Sequence, residues 1–135
     1  MAGGGRQPPQ PGLAGAGASE YRGAMDCLFC KIVAGEIPCE KVREDEHTLA
    51  FRDIRPQAPC HVLVVPKQHV DSMWELDDPE VAGRLLHAAA EVARQEELSH
   101  GWRLIVNTRD HGGQEVGHLH AHVLGGRPLG RMLPG

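Results

Sequence analysis

Along the chain, short stretches in which apolar side chains recur every second residue alternate with polar, proline- and glycine-rich joints, and one long stretch keeps a helical period. Residues 27–34 read as a short helical turn that Gly35 and Pro38 bring to an end, because proline disfavours helix in the residue before it. Lys41 to Glu44 and Thr48 to Arg52 flank the polar Asp45-Glu46-His47, which predicts a hairpin. Asp53 to Pro59 is a loop punctuated by prolines, and the β-branched run His61 to Pro66 is of the buried-strand type. Val81, Leu85, Ala88, Ala89 and Val92 form one apolar stripe at helical spacing. This predicts a helix capped by Asp78, with Pro79 at its first position, running to about His100 and stopped by Gly101. Trp102 to Asn107 reads as a strand, 108–117 as a polar turn and His118 to Leu124 as a last strand.

Strands joined mostly by short turns, with one long helix, predict an α+β domain: an antiparallel sheet packed by a helix on one face. The chain shows neither the alternating β and α units of a doubly wound nucleotide fold nor a glycine-rich phosphate loop of the Walker type.

Composition narrows the picture further. A chain of 135 residues, 41% apolar and 24% charged, holds one domain with a real core. The net charge of −4 offers no basic field for long DNA or RNA, which leaves a single nucleotide as a possible ligand. Apolar runs such as Val62-Leu63-Val64-Val65 are far shorter than the roughly 20 residues of a spanning helix, so a membrane is not an expected partner. Residues 1–25 are Gly-, Pro- and Ala-rich with few large apolar side chains, and disorder is expected there; a start at Met25 explains the segment equally well. Neither a secretory signal nor a transit helix is recognisable. The four cysteines, Cys27, Cys30, Cys39 and Cys60, are therefore expected as reduced thiols in the cytoplasm.

The last strand carries the candidate chemistry. Side chains at i, i+2 and i+4 of a strand share a face, so His118, His120 and His122 line up about 7 Å apart while Leu119, Ala121 and Val123 face the other way. A half-exposed strand needs polar residues outward, but not imidazole three times over. Near neutral pH one imidazole is a nucleophile while a neighbour donates to a phosphate oxygen or leaving group, so the row suits phosphoryl transfer.

At this point the sequence resembles a known family. HLHAHVL matches His-φ-His-φ-His-φ-φ, with φ apolar, the signature of the histidine triad (HIT) proteins. The resemblance runs in order through DCLFCKIVAGEIP, AFRDIRPQAP, HVLVVPKQH, RLIVNTRDHGGQEV and GHLHAHVLGGRPLGRML, nearly all of 26–135, and is close to the Hint branch, bacterial type. It implies the HIT fold: five antiparallel strands with one long and one short helix, paired in a homodimer into a ten-stranded sheet. It also implies cleavage of purine nucleoside phosphoramidates or aminoacyl adenylates, without an organic cofactor. By that resemblance His120 attacks the α-phosphorus to give a nucleotidyl-histidine, His122 contacts the phosphate and assists the leaving amine, and His118 orients the row.

The same matching places Asp53 at the ribose hydroxyls and Phe29, Ile32, Phe51 and Ile54 around the base. Taken alone, Phe29, Ile32 and Phe51 also read as core and Asp53 as a turn former. Asn107 and Gly112 to Val116, with Gly113, Gln114 and Glu115, match the phosphate-side loop, where glycines let backbone N–H groups approach an anion. Gly117 departs from the pattern, standing where many Hint proteins carry an aromatic.

A single Cys-x-x-Cys, Cys27 and Cys30, is a weak zinc signal on its own. The resemblance implies a structural zinc on Cys27, Cys30, His61 and His118, with His118 given to the metal. Two other readings stay open: a metallohydrolase using the strand histidines, and a nucleotide-binding module without turnover. Cys39, Cys60, His47, His69, His87, His100 and His111 are expected to be structural or surface residues.

Overall fold

The computed structural model describes residues 26–133; the disorder expected over 1–25 lies outside them. Helix α1, Leu28–Val33, is capped by Cys27, whose Sγ accepts from the Cys30 N–H at 3.3 Å. The hairpin forms as expected from β1, Lys41–Glu44, and β2, Thr48–Arg52. Its turn is held by the Asp45 carboxylate, which accepts from the His47 and Thr48 N–H groups at 2.8 and 2.7 Å. Strand β3, Cys60–Pro66, is buried along its whole length. After a single 3-10 turn, Met73–Glu75, come α2, Pro79–Gln95, β4, Trp102–Ile105, and β5, Ala121–Gly125. The five strands form one sheet in the order β1-β2-β3-β5-β4, antiparallel throughout.

Two apolar layers sandwich the sheet. On one face Val62, Val64, Leu119, Ala121 and Val123 meet Leu85, Ala88, Ala89, Val92 and Ala93 of α2. On the other, Leu49, Phe51, Leu63 and Val65 meet Cys27 and Phe29 of the α1 segment. The alternation along 118–123 thus sends apolar residues under α2 and turns the histidines toward α1.

Helix α2 starts as expected, with the Asp78 carboxylate accepting from the Glu80 N–H at 2.9 Å. Its end differs: it stops at Gln95, not near His100. The Leu98 N–H returns to the Ala93 carbonyl and the Glu97 N–H to that of Arg94, both at 3.0 Å, a Schellman closure with Glu97 in the left-handed region at φ 60°. Glycine is the usual residue there, so a search for glycine overshoots to Gly101, while Leu98 folds back onto the α2 layer.

The last strand also begins later than expected. Regular pairing covers Ala121–Gly125, and before it the Leu119 N–H bonds the Val70 carbonyl at 2.7 Å. Strand β4 likewise ends at Ile105 and not at Asn107.

Candidate active site

Four histidines meet on the face covered by α1: His118 and His120 from the segment leading into β5, His122 within it, and His61 from β3. Cross-strand register explains the fourth. Leu63 pairs with His122 and His61 with Leu124, so His61 and His122 are diagonal neighbours on one face.

Each ring is held by a partner that assigns its protonated nitrogen. His120 Nδ1 lies 2.7 Å from the His118 carbonyl oxygen, which only accepts; Nδ1 carries the proton and Nε2 keeps a lone pair. Burial pushes the His120 imidazole below its ordinary value, although its bond to that carbonyl works the other way. Phe29 packs edge-on to this ring, with centroids 5.1 Å apart. His122 Nδ1 is 2.9 Å from His61 Nε2, while His122 Nε2 is the one buried side-chain nitrogen or oxygen among the described residues without a partner. Burial, reinforced by the His120 and His61 rings, lowers His122 to about 4. A neutral nucleophilic ring therefore stands beside a neutral ring with a free polar atom, their centroids 5.1 Å apart.

His118 serves a second cluster. It is fully buried, and its Nε2 donates to the Pro66 carbonyl at 2.9 Å, which leaves Nδ1 facing Cys27 Sγ at 3.3 Å and Cys30 Sγ at 3.5 Å. His69 completes the group: Nε2 bonds the Asp71 carboxylate at 2.7 Å and Nδ1 sits 3.2 Å from Cys30 Sγ. The four candidate ligand atoms lie within 4.8 Å of one another. Tetrahedral zinc with two thiolates and two imidazoles separates its ligands by about 3.3 to 3.8 Å, so the donor set fits. Both rings also show the outer partners typical of ligating histidines, a carbonyl and a carboxylate. A hydrogen bond from Cys30 lowers the Cys27 thiol far below the ordinary range against its burial, with help from His118 and His69, while Cys30 is raised.

Of the ligand set implied by the resemblance, the structure brings together Cys27, Cys30 and His118 but not His61. His61 belongs to the His122 cluster, and His69, expected to be merely structural or on the surface, stands with the cysteines. The physical reason is topological. His61 opens β3 and His69 lies just past its far end, where the α1 segment crosses, so only His69 reaches the cysteines.

The expected nucleotide residues fall into two groups. Phe29 and Phe51 are buried beside the histidines, in edge-on contact with centroids 5.5 Å apart, and Ile32 packs on the same layer. Asp53 Oδ2 lies 3.4 Å from His61 Nε2. Ile54 is 91% exposed, and Asn107 is half-buried two residues beyond Ile105, which pairs with His122. In the 108–116 loop the Gly112, Gly113 and Gln114 N–H groups turn inward, onto the carbonyls of Arg109 and Asp110. The Gln114 side chain is fully engaged, accepting from the Arg109 N–H and donating to the carbonyls of Asp71 and Val116 at 2.8 and 2.9 Å. Those three amides close the loop on itself, and the Gln114 side chain ties it to Asp71. Glu115 is exposed. His69 carried a signal in the sequence, a carboxylate two residues on at Asp71; His61 carried none beyond its position in β3.

Comparison with known proteins agrees with this geometry. The HIT domain family model matches residues 34–129. A purine nucleoside phosphoramidase of Escherichia coli is 46% identical over 113 residues, covering 82% of this chain and 95% of that protein. A HIT family hydrolase from Legionella pneumophila superposes with a TM-score of 0.77 at 49% identity, covering 82% of this chain and all of that one. A histidine triad protein from Clostridium difficile gives a TM-score of 0.77 at 44% identity, over 81% and 97% of the two chains. On the match of its residues, its sheet and its histidine row, the chain belongs to the HIT domain family.

Proposed function

We propose that this protein hydrolyses purine nucleoside phosphoramidates, with aminoacyl adenylates as a related substrate class, through a covalent nucleotidyl intermediate on His120. The observation that carries the reading is the His120 ring, anchored through Nδ1 and left with a bare Nε2 on the site face. Nε2 attacks the α-phosphorus, the P–N bond breaks, and the leaving nitrogen takes its proton from His122, which regains one from the water that attacks next. Water then opens the P–N bond to His120 and restores the enzyme, two modest steps in place of one difficult displacement. His122 contacts the phosphate and the leaving nitrogen. Phe29, Phe51, Ile32 and Ile54 enclose the base, Asp53 takes the ribose hydroxyls, and Asn107 with the 113–115 segment flanks the phosphate. The named activity of the Escherichia coli relative supports this choice of substrate.

The experiment is to mix the protein with an adenosine phosphoramidate, quench, and search by mass spectrometry for a nucleotidyl adduct. An adduct on His120, absent from His120→Ala, is the expected result, and turnover by His120→Ala at the parent rate would refute the mechanism.

The metal reading of the strand histidines has one observation behind it, since Asp53, His61 and His122 also lie within 4.8 Å of one another. The pairing of His61 Nε2 with His122 Nδ1 at 2.9 Å argues against it, because those two nitrogens are spent on each other. Structural zinc is instead assigned to Cys27, Cys30, His69 and His118, where bound metal would fasten α1 to the triad segment.

A homodimer is also part of the reading. Strand β4 forms one edge of the sheet, and pairing with a second copy there would continue it to ten strands. Trp102 on that edge is 38% exposed, beside a hollow of about 620 Å³ lined by Leu98, Pro128 and Leu129 among others. No helix among the described residues is long and apolar enough to cross a membrane. Four free cysteines support a reducing compartment, the cytoplasm.

A further inference from the structure

We infer that the backbone N–H of Gln57, acting through His61, fixes the tautomer of His122 so that this ring meets the substrate as an N–H donor, opposite in tautomer to His120. The inference deepens the phosphoramidase reading and rests on it for the identity of the substrate.

The chain of assignment begins at an atom whose role is not open. A peptide N–H only donates, and that of Gln57 points at His61 Nδ1 from 3.0 Å, so Nδ1 must be the bare nitrogen of His61. The His61 proton then sits on Nε2. His122 Nδ1 is 2.9 Å from that Nε2, and two protonated nitrogens do not face each other at this distance, so His122 Nδ1 is bare. Its proton is on Nε2, the buried atom that no protein group meets. The Asp53 carboxylate, 3.4 Å from His61 Nε2, does not alter the result. Whether the His61 proton leans toward Asp53 or toward His122, it stays on Nε2 and keeps the facing His122 nitrogen bare.

The loop that presents Gln57 is built to hold still. Pro56 and Pro59 restrict its backbone, the Arg55 N–H bonds Asp53 Oδ1 at 2.8 Å, and the Gln57 carbonyl accepts from Arg127 at 3.2 Å. His61 itself is buried, so the amide, ring and ring stand in a fixed line. The outcome is two adjacent neutral imidazoles with complementary faces. His120 shows the phosphorus a lone pair, and His122 shows a phosphoryl oxygen an N–H. Such a donor costs no reorganisation when negative charge builds up on that oxygen. His61 is a positioning residue in this scheme, and the Gln57 side chain plays no part in it.

The test reads the tautomer directly, from the imidazole nitrogen resonances of 15N-labelled full-length protein at neutral pH, alongside kinetics on an adenosine phosphoramidate. The parent should show His122 protonated at Nε2 and bare at Nδ1, and His61→Phe should show a mixture of tautomers at His122. Removing the donor outright in His122→Phe should cost about 10²-fold or more, whereas His61→Phe should lose kcat in proportion to the fraction of His122 rings left bare at Nε2, a few-fold with little change in KM. His61→Gln, which restores an N–H donor toward His122 Nδ1, should recover most of that loss and the single tautomer. A parent spectrum with the proton on His122 Nδ1 overturns the inference, as does an unchanged His122 tautomer in a folded His61→Phe. Failure to turn over phosphoramidates would leave the spectra as predicted, so the two readings fail separately.

Discussion

His118 donates its Nε2 proton to the carbonyl of Pro66 at 2.9 Å, and that bond turns the other nitrogen of the ring toward the two cysteines. A triad histidine is thereby committed to the α1 side of the site. The expectation is near-stoichiometric zinc in purified protein by metal analysis, lost in Cys27→Ser and in His69→Ala and kept in His61→Ala. Removing the metal should lower the melting temperature before it lowers turnover, since an ion held by these four residues would fasten α1 to the triad segment and not touch the substrate. Zinc retained by His69→Ala but lost from His61→Ala would restore the ligand set first implied by resemblance.

Acid should destabilise the fold through His122. Unfolded, this ring protonates near 6.5; folded, it resists until about pH 4. Between those values the unfolded chain binds more protons, so stability is fully present above 6.5 and drains away as pH falls through the window. His61 and His120, which face it, are shifted in the same direction by burial and add to the effect, while the Asp53 charge opposes it. Thermal melts from pH 7 to pH 4 should therefore slope downward with acidification, and His122→Phe should flatten the slope. An equal slope in that variant would remove His122 from the account.

Glu97→Gly should stabilise the protein by about 0.5 to 1 kcal/mol, because it relieves a left-handed non-glycine residue at the end of α2. Denaturant midpoints decide the matter; a lower midpoint for the variant would mean that the extra freedom of glycine in the unfolded chain outweighs the relief.

Gly112→Ala should damage the phosphate-side loop. A Cβ there would stand 2.5 Å from the Thr108 carbonyl oxygen and 2.6 Å from its nitrogen, both backbone atoms with nowhere to go. A displaced loop misplaces the phosphate, and a loss of about 10-fold or more in kcat/KM is expected together with a lower melting temperature. Parent-like kinetics would show that the loop does not touch the reaction.

Sedimentation of the full chain should give twice its mass at micromolar concentration. A monomer there would leave the β4 edge unpaired and refute the ten-stranded sheet.

Much of this was legible before any coordinates. Asp78-Pro79 announced the start of α2 because a carboxylate cap followed by proline has few other uses, and the alternation through 118–123 announced which residues would face which side. What escaped reading depended on the chain coming back on itself or on atypical chemistry at a familiar position. Glu97 hid the end of α2 because the left-handed position was filled without glycine. His69 and His61 exchanged places because they stand near opposite ends of β3, and only the position of α1 decides which end meets the cysteines. Gln114 looked like a ligand residue, and only the positions of Asp71 and Val116 show its amide to be occupied.

The interleaving of Leu119, Ala121 and Val123 with His118, His120 and His122 has a consequence for how the protein can vary. Structural and chemical instructions occupy alternate letters of one short word, so substitutions can revise either message alone. A deletion or insertion of one residue would exchange them, driving imidazoles into the dry layer beneath α2 and hydrocarbon into the place of the nucleophile. Spelling in this segment can drift; its length cannot.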